Sequence, residues 1–318
     1  MARNRTLILT TGTSYQWPVL APFFVSLQRT GYQGDVCMLV EDKWLTPSDY
    51  AQFQKAGART LGIYPLLSRI PARLRNVRFD PRLGWLHRGL PWLAGILPVS
   101  SYRRRRCLDL TGTWLHPIMS ARLFFYRRLL DECARHYDNV ILCDVRDVIF
   151  QTAPDLWNSE FSLNVFLEQP LATLASEPNN ARWIRLLYGD DALSELGSSR
   201  VSCAGVVHGT TQGIITYLDE MTKALIPQTT CIAGENSFDQ GVHNYLLYSG
   251  NLSDAHIWEN GDGLVLNMCG VDANQYQPDK DGVIRTASGG IIPLIHQYDR
   301  HPALNDHMLS GLGLTRPH

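Results

Sequence analysis

Val140-Ile141-Leu142-Cys143-Asp144-Val145-Arg146-Asp147 is a short apolar run that ends in two carboxylates. Four apolar residues closed by a polar turn read as a strand buried on both faces. Just before it, Leu123, Tyr126, Leu130 and Cys133 recur at intervals of three or four, so Ala121 to His136 is predicted to be a helix with one buried side. Toward the N-terminus, the apolar run Thr6 to Thr11 ends in Thr11-Gly12-Thr13-Ser14. A helical stretch, Ala21 to Thr30, then breaks at Gly31-Tyr32-Gln33-Gly34, and Val36 to Val40 reads as the next strand. Strand, helix and strand at this spacing form a βαβ unit, whose crossover makes the strands parallel. The chain is therefore expected to open as a nucleotide-binding α/β half.

Downstream, Phe161 to Leu167 and Val201 to His208 are expected strands, and Ile214 to Leu225 and Ser237 to Leu247 expected helices. The stretch from about Leu66 to Leu110 holds several prolines, Trp85, Trp92 and the basic run Arg103 to Arg106, and reads as an insertion in the core pattern. Neither an internal repeat nor a low-complexity linker interrupts the 318 residues, and 45% hydrophobic content supports a sizeable core. One α/β domain over residues 1–318, interrupted at about 66–110, is the expected organisation.

The net charge of -1, from 29 basic and 30 acidic residues, offers no general attraction to nucleic acid or an anionic membrane. The 7 cysteines are odd in number and lack C-x-x-C pairs, which argues for reduced thiols rather than a disulfide framework or zinc cluster. Leu7-Ile8-Leu9 is too short an apolar run for a signal peptide or a membrane span. A cytoplasmic location follows as the expectation. Contact with the inner membrane face is added if Trp85, Trp92, Leu93, Ile96 and Leu97, with Arg103 to Arg106, meet anionic lipid.

Chemistry is expected where the central strand ends, because ligands of open α/β sheets collect at the carboxyl ends of strands. Asp144 and Asp147 offer hard oxygen ligands for Mg²⁺ or Mn²⁺. Their other reading is structural, one aspartate capping a turn and the other pairing with Arg146.

The segment Tyr137 to Gln151, with Asp144-Val145-Arg146-Asp147 at its centre, resembles the strand and Asp-x-Asp motif of glycosyltransferases with the GT-A fold. Arg146 stands where the second aspartate of that motif is usual, and Asp147 comes one place later. The resemblance implies a Rossmann-like mixed sheet flanked by helices, a nucleotide-diphosphate-sugar donor, a UDP-sugar first among them, and Mn²⁺ or Mg²⁺. A glycan or lipid-linked hydroxyl is the implied acceptor, and Asp144 would hold either ribose or metal.

Ala121 to Arg127 is similar to the helix that brings a basic residue to the nucleotide in family 8 and its relatives, so Arg122 or Arg127 would fill that role. Ser202 to Gly209 resembles an Asn-Ala-Gly-Val segment, with Cys203 in place of asparagine, which would set Ala204 and Gly205 beside the sugar. Phe238 to Leu247 is similar to an Asp-Gln-x-x-x-Asn element and brings Asp239 and Gln240. Pro293 to His301 looks like the late histidine motif, which makes His296 the third metal ligand, aimed by a neighbour such as Asp299, with His301 as the alternative. Thr10 and Thr11 fall where base and ribose dock. Asp239 and Glu168 are the candidate catalytic carboxylates, and the likeness to family 8 leans toward retention at the anomeric carbon.

Two rival readings remain. A nucleotidyltransferase would need a glycine-rich, basic phosphate loop, and Thr10-Thr11-Gly12-Thr13-Ser14 lacks the glycines and lysine of one. A non-catalytic carbohydrate-binding protein on a degenerate glycosyltransferase fold would have no need of the Asp144, Asp147 and His296 set.

Overall fold

A computed structural model describes residues 4–63, 89–90, 92–93, 96, 98–157, 160–230 and 238–316. The first half runs β1 (Thr6–Thr11), α1 (Trp17–Arg29), β2 (Asp35–Val40), α2 (Pro47–Lys55) and β3 (Ala58–Gly62). It continues through α3 (Ser101–Leu115), α4 (Ile118–Cys133), β4 (Asn139–Cys143) and β5 (Val148–Phe150). The second half runs β6 (Leu163–Leu167), α5 (Pro178–Leu196), β7 (Ser202–Thr210), α6 (Thr211–Leu225) and α7 (Asp239–Tyr248). It ends with β8 (Ala255–Trp258), β9 (Val265–Asn267), β10 (Leu294–His296) and α8 (Pro302–Gly311).

β1 and β2 pair in parallel, as the βαβ spacing predicts. The large sheet has 7 strands in the order β3-β2-β1-β4-β7-β6-β8. Its β3-β2-β1-β4 half is parallel, β7 runs against both β4 and β6, and β8 is parallel to β6. The chain is thus a mixed α/β fold compatible with a Rossmann-like architecture.

Both faces of the central strands are covered, which explains their continuous apolar character. Leu7, Leu9, Val140 and Leu142 point into a core built with α4, α6 and α7. Ile8, Ile141 and Cys143 point the other way, onto α1 and the apolar side of β5. β5 has left the large sheet and belongs to a second sheet of 3 strands, β5-β10-β9. The outer side of that small sheet packs Ile149, Leu266 and Ile295 under Leu304 and Met308 of α8.

Part of the stretch read as an insertion is regular: residues 101–110 open α3, which lies on α4. Gly112 allows that approach, since a Cβ there would stand 2.3 Å from the Phe124 ring. Trp85 and Leu97 lie outside the described residues. Trp92, Leu93 and Ile96 are exposed. In the basic run, Arg105 is tied to Asp109 and Asp219, and Arg106 contacts Tyr102. Among the described residues, no helix is long and apolar enough to cross a membrane.

Candidate metal centre

Cys143 closes β4, and the amide of Asp144 still donates to the carbonyl of Gly205 on β7, at 2.8 Å. The backbone then turns through residues 144–147 and crosses to the small sheet as β5. There His296 stands opposite Val148 in the antiparallel register and beside Asn267 in the parallel one. The Gln297 amide donates to the Asp147 carbonyl at 2.7 Å, fastening the two turns together. This seam between the sheets brings Asp144, Asp147 and His296 into one cluster whose ligand atoms all lie within 4.8 Å of one another. Nε2 of His296 is 3.6 Å from Asp144 Oδ2 and 3.7 Å from Asp147 Oδ1.

Whether the cluster fits a cation is decided by the imidazole. His296 is buried, and its Nδ1 lies 2.8 Å from Asn267 Oδ1. The Asn267 amide nitrogen donates to the Leu167 carbonyl at 2.9 Å, which fixes the amide so that its oxygen faces the ring. Nδ1 is therefore the donor, and in the neutral ring the Nε2 lone pair points between the carboxylates. Nε2 is buried without a hydrogen-bond partner. Two carboxylates and one imidazole are a donor set that could hold a divalent cation.

The charges lead the same way. Burial alone would push the His296 imidazolium down, but Cys203, Asp144 and Asp147 carry it well above its ordinary value. The pocket thus favours positive charge between its carboxylates, which a divalent cation could supply in place of the proton. Burial would raise Asp144, yet Arg122 and His296 hold it well below the usual carboxylate range. Asp147 stays above its usual value, because burial and the charge of Asp144 outweigh His296.

Gly205 supplies the room. A Cβ at this position would stand 2.5 Å from His296 Cε1 and 2.9 Å from Asp144 Oδ2. The glycine expected beside a sugar is thus set against two of the three clustered side chains. Gly205→Ala is expected to weaken Mn²⁺ binding by about tenfold or more, with an overpacking cost of about 1–3 kcal/mol. Mn²⁺ titration followed by electron paramagnetic resonance measures the first and thermal melting the second; unchanged affinity would show that the ligands do not converge on this space.

Arg122 of α4 reaches both Asp144, Nη1 to Oδ1 at 2.5 Å, and Asp239, Nη2 to Oδ2 at 3.3 Å. Burial opposes its charge, but the two carboxylates raise its pKa above the ordinary arginine value. Asp239, the first residue of α7, is pushed up to about 6 by burial despite Arg122. Arg127, the alternative basic residue, is not in this group. Five residues along a helix turn the side chain by about 140°, and Arg127 pairs with Asp219 of α6 and with Asp131.

Gln240 follows Asp239 on α7 and donates to Glu168 Oε1 at 3.2 Å. Burial raises the Glu168 carboxyl, and the Gln240 bond opposes this. Cys203 Sγ lies 3.7 Å from His296 Nδ1, and Ala204 separates it from Gly205 along β7. Thr11 bonds the Tyr126 hydroxyl at 2.6 Å. Thr10, on the opposite face of β1, is buried with its hydroxyl unpartnered.

Two expectations about the late histidine segment change. The residue that aims His296 is Asn267, whereas Asp299 pairs with Arg146. His301 Nε2 is 2.7 Å from the Met268 carbonyl and stands outside the cluster. The sequence reading missed Asn267, although a lone amide in Val265-Leu266-Asn267-Met268 is the sort of buried polar group that needs partners.

No family model matches the chain, and no curated protein sequence does.

Proposed function

We propose that this chain is a metal-dependent glycosyltransferase of the GT-A type, moving a sugar from a nucleotide diphosphate, a UDP-sugar first, to a glycan or lipid-linked hydroxyl. The observation that carries this reading is the unpartnered Nε2 of His296 aimed between Asp144 and Asp147. The position of the cluster adds support, because it lies past the carboxyl end of β4 in an open α/β sheet. The mixed sheet and flanking helices agree with what the GT-A resemblance implies.

A bound Mn²⁺ or Mg²⁺ would supply charge neutralisation for the departing diphosphate. Asp144, Asp147 and His296 would hold it. Arg122 fixes the direction of Asp144, and Asn267 fixes the imidazole, so the donor atoms are set before the substrate arrives. Of the two candidate catalytic carboxylates, Asp239 is committed to an ion pair with Arg122, while Glu168 is held by the uncharged amide of Gln240. Glu168 is therefore the better placed to take a proton from the acceptor or to face the anomeric carbon.

The test is release of nucleoside diphosphate from a panel of sugar donors. Turnover is expected with Mn²⁺ and is expected to vanish with chelator. No release from any donor under either condition would leave a carbohydrate-binding role on a non-catalytic fold.

A further inference from the structure

Arg146 sits inside the acidic turn, between the two carboxylates that face His296. Its guanidinium makes two ion pairs. Nη2 is 3.0 Å from Asp147 Oδ2, and Nη1 is 2.9 Å from Asp299 Oδ2. Asp299 belongs to the short 3-10 turn Tyr298–Arg300, which follows His296 almost directly. One side chain of the first ligand-bearing turn thereby grips both its own neighbour and the second ligand-bearing turn.

The backbone supports the same junction. Gln297 adopts the left-handed conformation, with φ of 60°, and its amide bonds the Asp147 carbonyl. A non-glycine residue in this region is strained unless its surroundings hold it there. Tyr298, buried in the core with Ile149 and Ile295, anchors the next position. Arg300 adds only longer contacts, 3.8 Å to Asp147 and 3.8 Å to Asp299, and its side chain is half exposed.

The pairing decides which oxygen of Asp147 is available. With Oδ2 held by Arg146, Oδ1 is the atom left facing His296 Nε2. Without the guanidinium, a buried carboxylate next to Asp144 has reason to rotate away from a like charge. Arginine suits this task because its planar fork can serve two carboxylates at once, which a lysine ammonium does less well.

We propose that Arg146 and Asp299 form a clasp that presets Asp147 as a one-oxygen ligand, making Arg146 a positioning residue of the metal centre rather than part of it. The clasp rests on the metal reading above, and its test separates the two. Mn²⁺ affinity is measured by electron paramagnetic resonance for the full chain and for Arg146→Met, Asp299→Asn and the double variant, with thermal melting of each without metal.

Each single variant is expected to lose about 10–100-fold in Mn²⁺ affinity; Arg146→Met, which strands the buried Asp147 carboxylate, is expected to melt below the parent protein and Asp299→Asn close to it. The double variant is expected to lose no more than the weaker single, because both changes undo one device. Arg146→Lys is expected to recover part of the loss. Affinity of Arg146→Met within about twofold of the parent, or fully additive losses in the double variant, would overturn the clasp and leave the metal centre standing. Should Arg146→Met fail to fold, Asp299→Asn, which keeps the side-chain shape, decides the matter alone. Failure of the parent protein to bind Mn²⁺ would remove the metal reading and the clasp together.

Discussion

His296→Ala is expected to weaken Mn²⁺ binding more than about 100-fold, since it deletes a ligand outright where the loss of an orienting partner already costs 10–100-fold. On the proposed function, donor turnover is expected to fall with it. A metal ion that binds only the folded chain raises its stability by about 2.7 kcal/mol at a concentration 100 times the dissociation constant. The parent protein should therefore melt higher with Mn²⁺ than with chelator, and His296→Ala should show no such difference. The variant also strands the Asn267 oxygen, which costs about 1–3 kcal/mol, so its melting point should be lower in both conditions. An Mn²⁺-dependent rise that survives in His296→Ala would place the ion somewhere else.

Arg122→Met is expected to damage the fold itself. Arg122 is the cation between Asp144 and Asp239, and removing one partner of a buried ion pair costs about 3–5 kcal/mol because a charge is left uncompensated. The Asp144 side chain is 26% exposed, which moves the expectation toward the lower end. For a chain of this length the fall in melting temperature would be about 4–8 °C. Adding Asp239→Asn removes one stranded charge, so the double variant should be more stable than Arg122→Met alone. Equal or worse stability in the double variant would mean that the cost lies in lost packing, not in charge.

Much of the N-terminal half was legible because its signals are local. β1 and α1 each run into a break that contains glycine, although α1 begins at Trp17 and not at the predicted Ala21, and the apolar run before Asp144 is long enough to read as a buried strand. The α4 helix begins three residues earlier than its periodicity predicts and passes into a 3-10 turn at Ala134–His136. The small sheet was not legible. Strands of 3 residues, such as β5 and β9, are too short to show a period of two. They exist because they pair with β10, a contact between distant parts of the chain that no local window contains.

The same distinction applies to the site. Asp144 and Asp147 were singled out as carboxylates at the end of a buried strand, and His296 by the resemblance to a late histidine motif, and the fold brings the three together. Their supports were harder to read, since Arg122 and Arg127 occupy one helix and only the direction of each side chain separates them. The role of Asn267 depends on its register with His296. Asp299 was given the right neighbourhood and the wrong partner, because sequence adjacency to the imidazole does not reveal that Arg146 would claim its carboxylate.

The seam between the two sheets also bears on the order in which the chain is made. A ribosome that has delivered Asp144 and Asp147 must continue to residue 296 before the imidazole exists. Arg122, which pairs with Asp144 in the folded chain, is made well before the imidazole. An interrupted nascent chain would carry a half-built cation trap, and only one that reaches the last strand could load it.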